Sequence, residues 1–175
     1  MRFLVMTAAL SALAPAAHAV ELGPLAPVAE GKISCVSPNT AARTCSSMDI
    51  YRLGQGGEIQ DENVEIVSAS PLIIMTTHSR VQVSGDVECS APRASDVATA
   101  SFSVEGRPAN AAQTARLRSN VHAILGPMMS HKVCAIYRPQ GEGMLMTFAI
   151  DGKPLPSLDR HMMWVSPEEG WKVGF

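Results

Sequence analysis

The sequence predicts an α+β fold: a mainly antiparallel β-sheet with one amphipathic helix, at about 110–125, packed on it and two disulfides stapling it. Three observations predict this. Apolar residues recur mostly with the period of two that a strand needs. A single stretch, Ala111 to Met128, changes to steps of three and four. Four cysteines, an even number, stand in a chain that opens on an export signal.

The opening residues carry that signal. Arg2 gives a positive start, residues 3–13 are apolar, and Ala17-His18-Ala19 is an A-x-A cleavage site, so 1–19 reads as a signal peptide. The apolar run is too short to span a bilayer, and no later stretch is long enough. Residues 20–32, with Gly23-Pro24 and Pro27, read as an extended arm, and 33–175 as a single disulfide-stapled, β-rich domain. A formal net charge of −2, with no Lys/Arg cluster, argues against nucleic acid as the partner. The expected pairing is Cys35–Cys45, a local loop, and Cys89–Cys134. No C-x-x-C occurs, so neither a thioredoxin-type redox pair nor a four-cysteine zinc site is supported.

Taken in order, residues 33–36 form a short strand, and Ser37-Pro38-Asn39-Thr40 is a turn. Met48, Ile50, Tyr51 and Leu53 mark a second strand, stopped by Gly54-Gln55-Gly56-Gly57. Residues 63–68 and 72–77 follow; Leu72-Ile73-Ile74-Met75 is a continuous apolar run of the kind buried on both faces. Residues 81–89 alternate, with Ser84-Gly85-Asp86 as a turn or bulge. Residues 90–96 read as a loop and 97–104 as a strand. The helix then starts at Asn110, an N-cap, stops at Gly126-Pro127, and lays Leu117, Val121 and Ile124 on the sheet. Beyond the hairpin described next, 155–159 is a Pro-bearing connection, 162–165 a strand, 166–170 a turn and 171–175 a last short strand.

The hairpin spans 131–154. Val133 to Arg138 alternates, Pro139-Gln140-Gly141-Glu142-Gly143 turns the chain, and the return strand puts Met144, Met146, Phe148 and Ile150 on one face. Residues 101–108, SFSVEGRP, resemble 147–154, TFAIDGKP, and Cys89 and Cys134 stand 13 and 14 residues before the respective Phe. That spacing suggests a repeated unit of cysteine strand, turn and phenylalanine strand; the plainer alternative is a common turn ending met twice.

The sharpest chemical grouping is of soft ligands. Met128, Met129 and His131, His161, Met162 and Met163, and the pair Met144 and Met146 are thioether and imidazole donors suited to Cu(I). Methionine also fills irregular cores, which accounts for the same residues without a metal. Catalytic motifs of the G-x-S-x-G, H-E-x-x-H and S-x-x-K types are lacking, so a hydrolase site using His78, His122, His131 or His161 has to assemble in space. Trp164, Trp171 and Tyr137 are the aromatic platforms available for a sugar, and the core competes for them.

At the C-terminus Trp171, Val173 and Phe175 alternate; these residues resemble the terminal strand of bacterial outer-membrane barrels, which implies an eight-stranded membrane barrel. Only 5% of the chain is aromatic, too little to build the girdles of such a barrel. Together these features describe an exported, non-enzymatic domain, periplasmic or secreted, that binds a protein or another envelope component. Its alternatives are a periplasmic copper-binding protein and a hydrolase with a spatially assembled site.

Overall fold

The computed structural model describes residues 22–54 and 58–175. Residues 1–19, read above as a signal peptide, and residues 55–57 of the glycine turn lie outside the described residues. In chain order the strands are β1 (Ile33–Val36), β2 (Thr44–Cys45), β3 (Ser47–Leu53), β4 (Ile59–Ala69), β5 (Leu72–Ser84), β6 (Val87–Ser90), β7 (Ser101–Val104), β8 (Arg107–Pro108), β9 (Val133–Gln140), β10 (Gly143–Ile150), β11 (Lys153–Pro154), β12 (Arg160–Val165) and β13 (Lys172–Val173). The α-helices are α1 (Ala94–Thr99), between β6 and β7, and α2 (Ala111–Leu125), between β8 and β9.

The sheet closes on itself. β1 pairs with β3, β3 with β4, β4 with β5, β5 with β6, β6 with β9, β9 with β10, β10 with β12, and β12 returns to β1, every pair antiparallel. These eight strands form an up-and-down barrel met in chain order, in which each strand finds a partner on both sides. Tight turns set the register. Gly141, at φ +61°, opens the two-residue β9–β10 turn as a type II′ hairpin requires, and aligns Met144, Met146 and Phe148 inward as the alternation predicts.

Three further bodies pack against the barrel. Leu25, 0% exposed, belongs to a 3-10 helix (Gly23–Glu30) and joins Tyr51, Ile59 and Val81 to plug one end of the lumen. The predicted extended arm is therefore corrected to a short helix: Pro24 falls in its first turn, where an N–H has no partner within the helix, and Pro27 lies inside it. On the outer face, the Cys35–Cys45 disulfide packs with Met48 and Val165 beneath Trp171 and Val173. There β13 pairs in parallel with β2, outside the ring. The terminal segment is thus no barrel strand, and Phe175, 72% exposed, is not taken into the core. The ring's outer face carries the ion pairs Arg52–Glu62 at 2.9 Å and Arg80–Glu58 at 2.5 Å, where a membrane barrel presents an apolar band.

The third body is the insertion between β6 and β9. α1, β7, β8 and α2 gather Met75, Val97, Ala100, Phe102 and Val121 into a second core beside the free half of β5. Two predicted elements are corrected here. Residues 97–99 are helical rather than strand, because Asp96 Oδ2 accepts from the Arg93 N–H at 2.9 Å and starts α1, turning Val97 and Ala100 together into this core. Ile124 faces solvent, 72% exposed, since the buried side of α2 runs through Val121 and Leu125. Arg118 lies along that side and donates to the Ala100 carbonyl from Nε at 3.1 Å and Nη2 at 2.8 Å. The helix itself matches its predicted span, with Asn110 Oδ1 accepting from the Gln113 N–H at 3.0 Å and Gln113 Oε1 from the Asn110 N–H at 3.0 Å.

The resemblance of 101–108 to 147–154 has a structural basis. Glu105-Gly106 and Asp151-Gly152 both take positive φ at both residues, the conformation of a type I′ turn. Glu105 Oε1 accepts from the Leu72 N–H at 2.6 Å while its own N–H donates to Leu72 O at 2.9 Å. Asp151 does the same to Lys132, at 2.9 and 2.8 Å. Ala109 and Leu155 then donate to Phe102 O and Phe148 O. The equivalent units are β5 with β7–β8 and β9 with β10–β11. The cysteines are not equivalent: Cys134 occupies the place of Ile74, and β6, which carries Cys89, does not pair with β7.

Candidate functional site

Inward-facing residues divide the lumen into levels. At the plugged end, Tyr51 and Trp164 meet with ring centroids 6.2 Å apart above Leu25 and Ile59. In the middle, Glu88 from β6 joins two walls: its Oε2 accepts from Tyr51 Oη at 3.0 Å and from Tyr137 Oη at 2.5 Å. Above it lies a cavity of about 480 Å³, bounded by Asp49 and Ser47 of β3, Asn63 and Glu65 of β4, Ala135, Tyr137, Met146 and Phe148, with Leu158 and Arg160 also in its wall. That volume falls within the roughly 300–1,000 Å³ of small-molecule sites.

The chemistry of this cavity is acidic and acceptor-rich. Asp49 is held from both sides, Oδ2 by Ser34 Oγ at 2.9 Å and Oδ1 by Asn63 Nδ2 at 2.6 Å. Asp61 lies opposite Tyr51 and is 9% exposed; its Oδ1 has no hydrogen-bond partner among the described residues, and Oδ2 has only Ser79 Oγ at 3.5 Å. Burial raises the carboxyl pKa of Asp49, Asp61, Glu65 and Glu88; repulsion from Asp49 adds to the rise in the other three, while the Asn63 and Ser34 hydrogen bonds oppose it in Asp49 itself. Glu88 is pushed up to about 7, its loss of water outweighing the two tyrosine hydrogen bonds that favour the carboxylate. The same burial, with the Glu88 charge alongside, pushes the Tyr51 and Tyr137 hydroxyls well up, so both stay protonated donors at neutral pH. Arg160 forms no ion pair with these acids among the described residues; its Nη1 donates to Ser157 O at 3.0 Å and Asp159 O at 2.8 Å.

The residues grouped by their metal-binding chemistry are spread over the molecule. Met162, 1% exposed, meets Met144 and Met146 in the lumen core, where β10 and β12 pair. Met163 points the other way, into the layer around Cys35 and Cys45, and His161 is exposed opposite Leu145. Met129 packs in the second core, Met128 is half-buried in the short helix before it, and His131 Nδ1 sits 2.6 Å from Asp151 Oδ2. No three His, Cys, Asp or Glu side chains are grouped to hold a metal ion among the described residues. His78 and His122 line no shared site with them: His78 lies on the outer barrel wall opposite Glu62, and His122 is exposed on α2. Of the aromatic platforms, Tyr137 and Trp164 belong to the lumen core, and Trp171 donates from Nε1 to Glu169 Oε2 at 2.8 Å on the outer layer.

The disulfides are Cys35–Cys45 and Cys89–Cys134, the predicted pairing. Cys89 and Cys134 face each other across β6 and β9, one residue from Glu88, so this staple holds the Glu88 strand to the Tyr137 strand. Sequence reasoning did not single out Asp49, Asp61, Glu65 or Glu88. Their signal is an alternation in which the polar residues face inward: Asp49 and Tyr51 enter the lumen, while Met48, the apolar partner, is buried beneath the outer layer. No helix among the described residues is long and apolar enough to cross a membrane. No protein-family model matches this chain, and no curated protein and no solved structure matches it either.

Proposed function

We propose that this chain is an exported binding protein of the cell envelope, and that its ligand is a small organic molecule taken into the open half of the barrel lumen. The observation that carries the reading is the cavity of about 480 Å³ over Glu88, with apolar walls at Met146 and Phe148 and polar groups at Asp49, Asn63 and Glu65. An eight-stranded barrel is just wide enough either to be filled by side chains or to hold one small ligand, and here the two halves do one each. Export is supported by the signal-like segment 1–19 and by two disulfides, which persist in oxidising compartments.

The apolar fluorophore N-phenyl-1-naphthylamine tests this on the disulfide-bonded protein. It gains fluorescence on entering the lumen, and Ala135→Trp, which fills the cavity from β9, removes the gain while far-ultraviolet circular dichroism and a cooperative thermal transition stay native. An equal gain in Ala135→Trp, or none in the parent, rejects the reading.

A second reading, hydrolysis at a spatially assembled site, draws on Glu88: a carboxyl with a pKa of about 7 between two tyrosine hydroxyls suits general acid–base chemistry. Turnover in ester or glycoside panels that Glu88→Gln abolishes supports it; turnover unchanged in that variant excludes this site.

A further inference from the structure

Resting on the lumen reading, we infer that the cavity selects an organic ammonium ion: an amine whose protonated head lies among Glu88, Glu65 and Asp49 and whose apolar body lies along Met146 and Phe148. Three independent features point there. First, among the described residues the cavity wall supplies three carboxyl groups and a single cation, Arg160, whose Nη1 is turned to the backbone carbonyls of Ser157 and Asp159. None of the ion pairs among the described residues involves Asp49, Asp61, Glu65 or Glu88. Second, Asp61, level with Tyr51 and one inward position from Asn63, lies outside the cavity wall but beside its acids, more than nine-tenths buried and with no partner for Oδ1 among the described residues. Its charge repels those of Asp49 and Glu88, so a cation held among the cavity's acids relieves that repulsion as well. Third, the carboxyl groups are distributed around a wide cavity, and no three are grouped on one point. That arrangement suits a diffuse ammonium with several N–H donors better than a compact metal ion that needs its ligands close.

The competing ligand chemistries fare worse. An anion entering the cavity meets like charge on three sides. A neutral alcohol satisfies hydrogen bonds and leaves the carboxylates without countercharge. An ammonium ion gains charge-assisted hydrogen bonds to acceptors already held in place: Asp49 is fixed by Ser34 and Asn63, and Glu88 by two tyrosines.

Calorimetric titration with three probes of one skeleton tests this: 2-phenylethylammonium, 2-phenylethanol and phenylacetate, at about pH 8, where Glu88 is ionised, and at low ionic strength. The expected result is that the ammonium binds at least about tenfold tighter than the alcohol and that phenylacetate gives no binding heat. Glu65→Gln and Glu88→Gln should each cut the ammonium advantage severalfold. The Glu65 side chain makes no hydrogen bond among the described residues, so its variant keeps the test valid if Glu88→Gln unfolds. Equal or tighter binding of the alcohol or of phenylacetate overturns the charge preference and leaves the lumen reading standing. An ammonium advantage unchanged in both variants also overturns it. Absence of binding by all three probes, together with a silent naphthylamine assay, overturns the lumen reading and the inference with it.

Discussion

Glu88 links the stability of the barrel to pH in a direction opposite to that of a salt-bridged acid. Its folded pKa, about 7, lies above the ordinary 4.5 of an exposed glutamate, so between those values the folded protein holds a proton that the unfolded chain has released. Stability is therefore full below about pH 4.5 and falls as pH rises through about 7, by an amount on the order of 3 kcal/mol. Asp49, Asp61 and Glu65 are shifted the same way and steepen the fall. Urea unfolding midpoints across this range should decline with pH, and the decline should be visibly shallower in Glu88→Gln. Gly143 gives a second residue-scale expectation. A Cβ there would come within 2.4 Å of the Met162 carbonyl oxygen, so Gly143→Ala must push β10 from β12 and should cost about 1–3 kcal/mol by chemical denaturation. Neither effect is legible in the chain. Glycine 143 reads as an ordinary turn residue, and an inward acid is recognisable only once ring closure shows which side of β3, β4 and β6 faces inward.

At the level of elements, the sequence is informative where a period is strong and neighbours agree with it. α2 and the β9–β10 hairpin lie where period and turn chemistry put them, because Asn110 with Gln113, and Gly141, supply end signals that packing does not override. α1 and the 3-10 plug were hidden for the converse reason: six and eight residues are too few to show a helical stripe, and both are held by tertiary burial. Leu25 does much of that holding, and Leu25→Ala should lower stability by about 2–5 kcal/mol in the same unfolding assay. Ile124→Lys should change it by less than about 0.5 kcal/mol, since the side chain is 72% exposed. The pair separates the buried plug from the solvent face of α2. The repeated acidic-glycine turn shows a related limit. Its hydrogen bonds to Leu72 and Lys132 are a true structural correspondence, yet the cysteine spacing that drew attention to it is incidental.

Across the whole molecule, the disulfides brace different things. Cys35–Cys45 closes 10 residues in the outer layer, and Cys89–Cys134 closes 45 and carries the insertion with its second core. On the chain-entropy view the longer loop contributes more, so replacing Cys89 and Cys134 by serine should cost about 1 kcal/mol more than replacing Cys35 and Cys45. Comparison of thermal midpoints and denaturant curves for the two double variants checks this. Cysteine number and the export-like start made the staples legible in advance; the closed ring was not legible in the alternation, which looks alike in an open sheet and a barrel, and the C-terminal residues that implied an eight-stranded barrel lie outside the ring. Ring closure also has a kinetic consequence. The seam joins β1 to β12, which lie far apart in the sequence, so this pairing must close a loop of more than a hundred residues. Chains of such non-local topology search slowly, over milliseconds to seconds, and one cut short before β12 would present two bare strand margins to its neighbours, a template for intermolecular association.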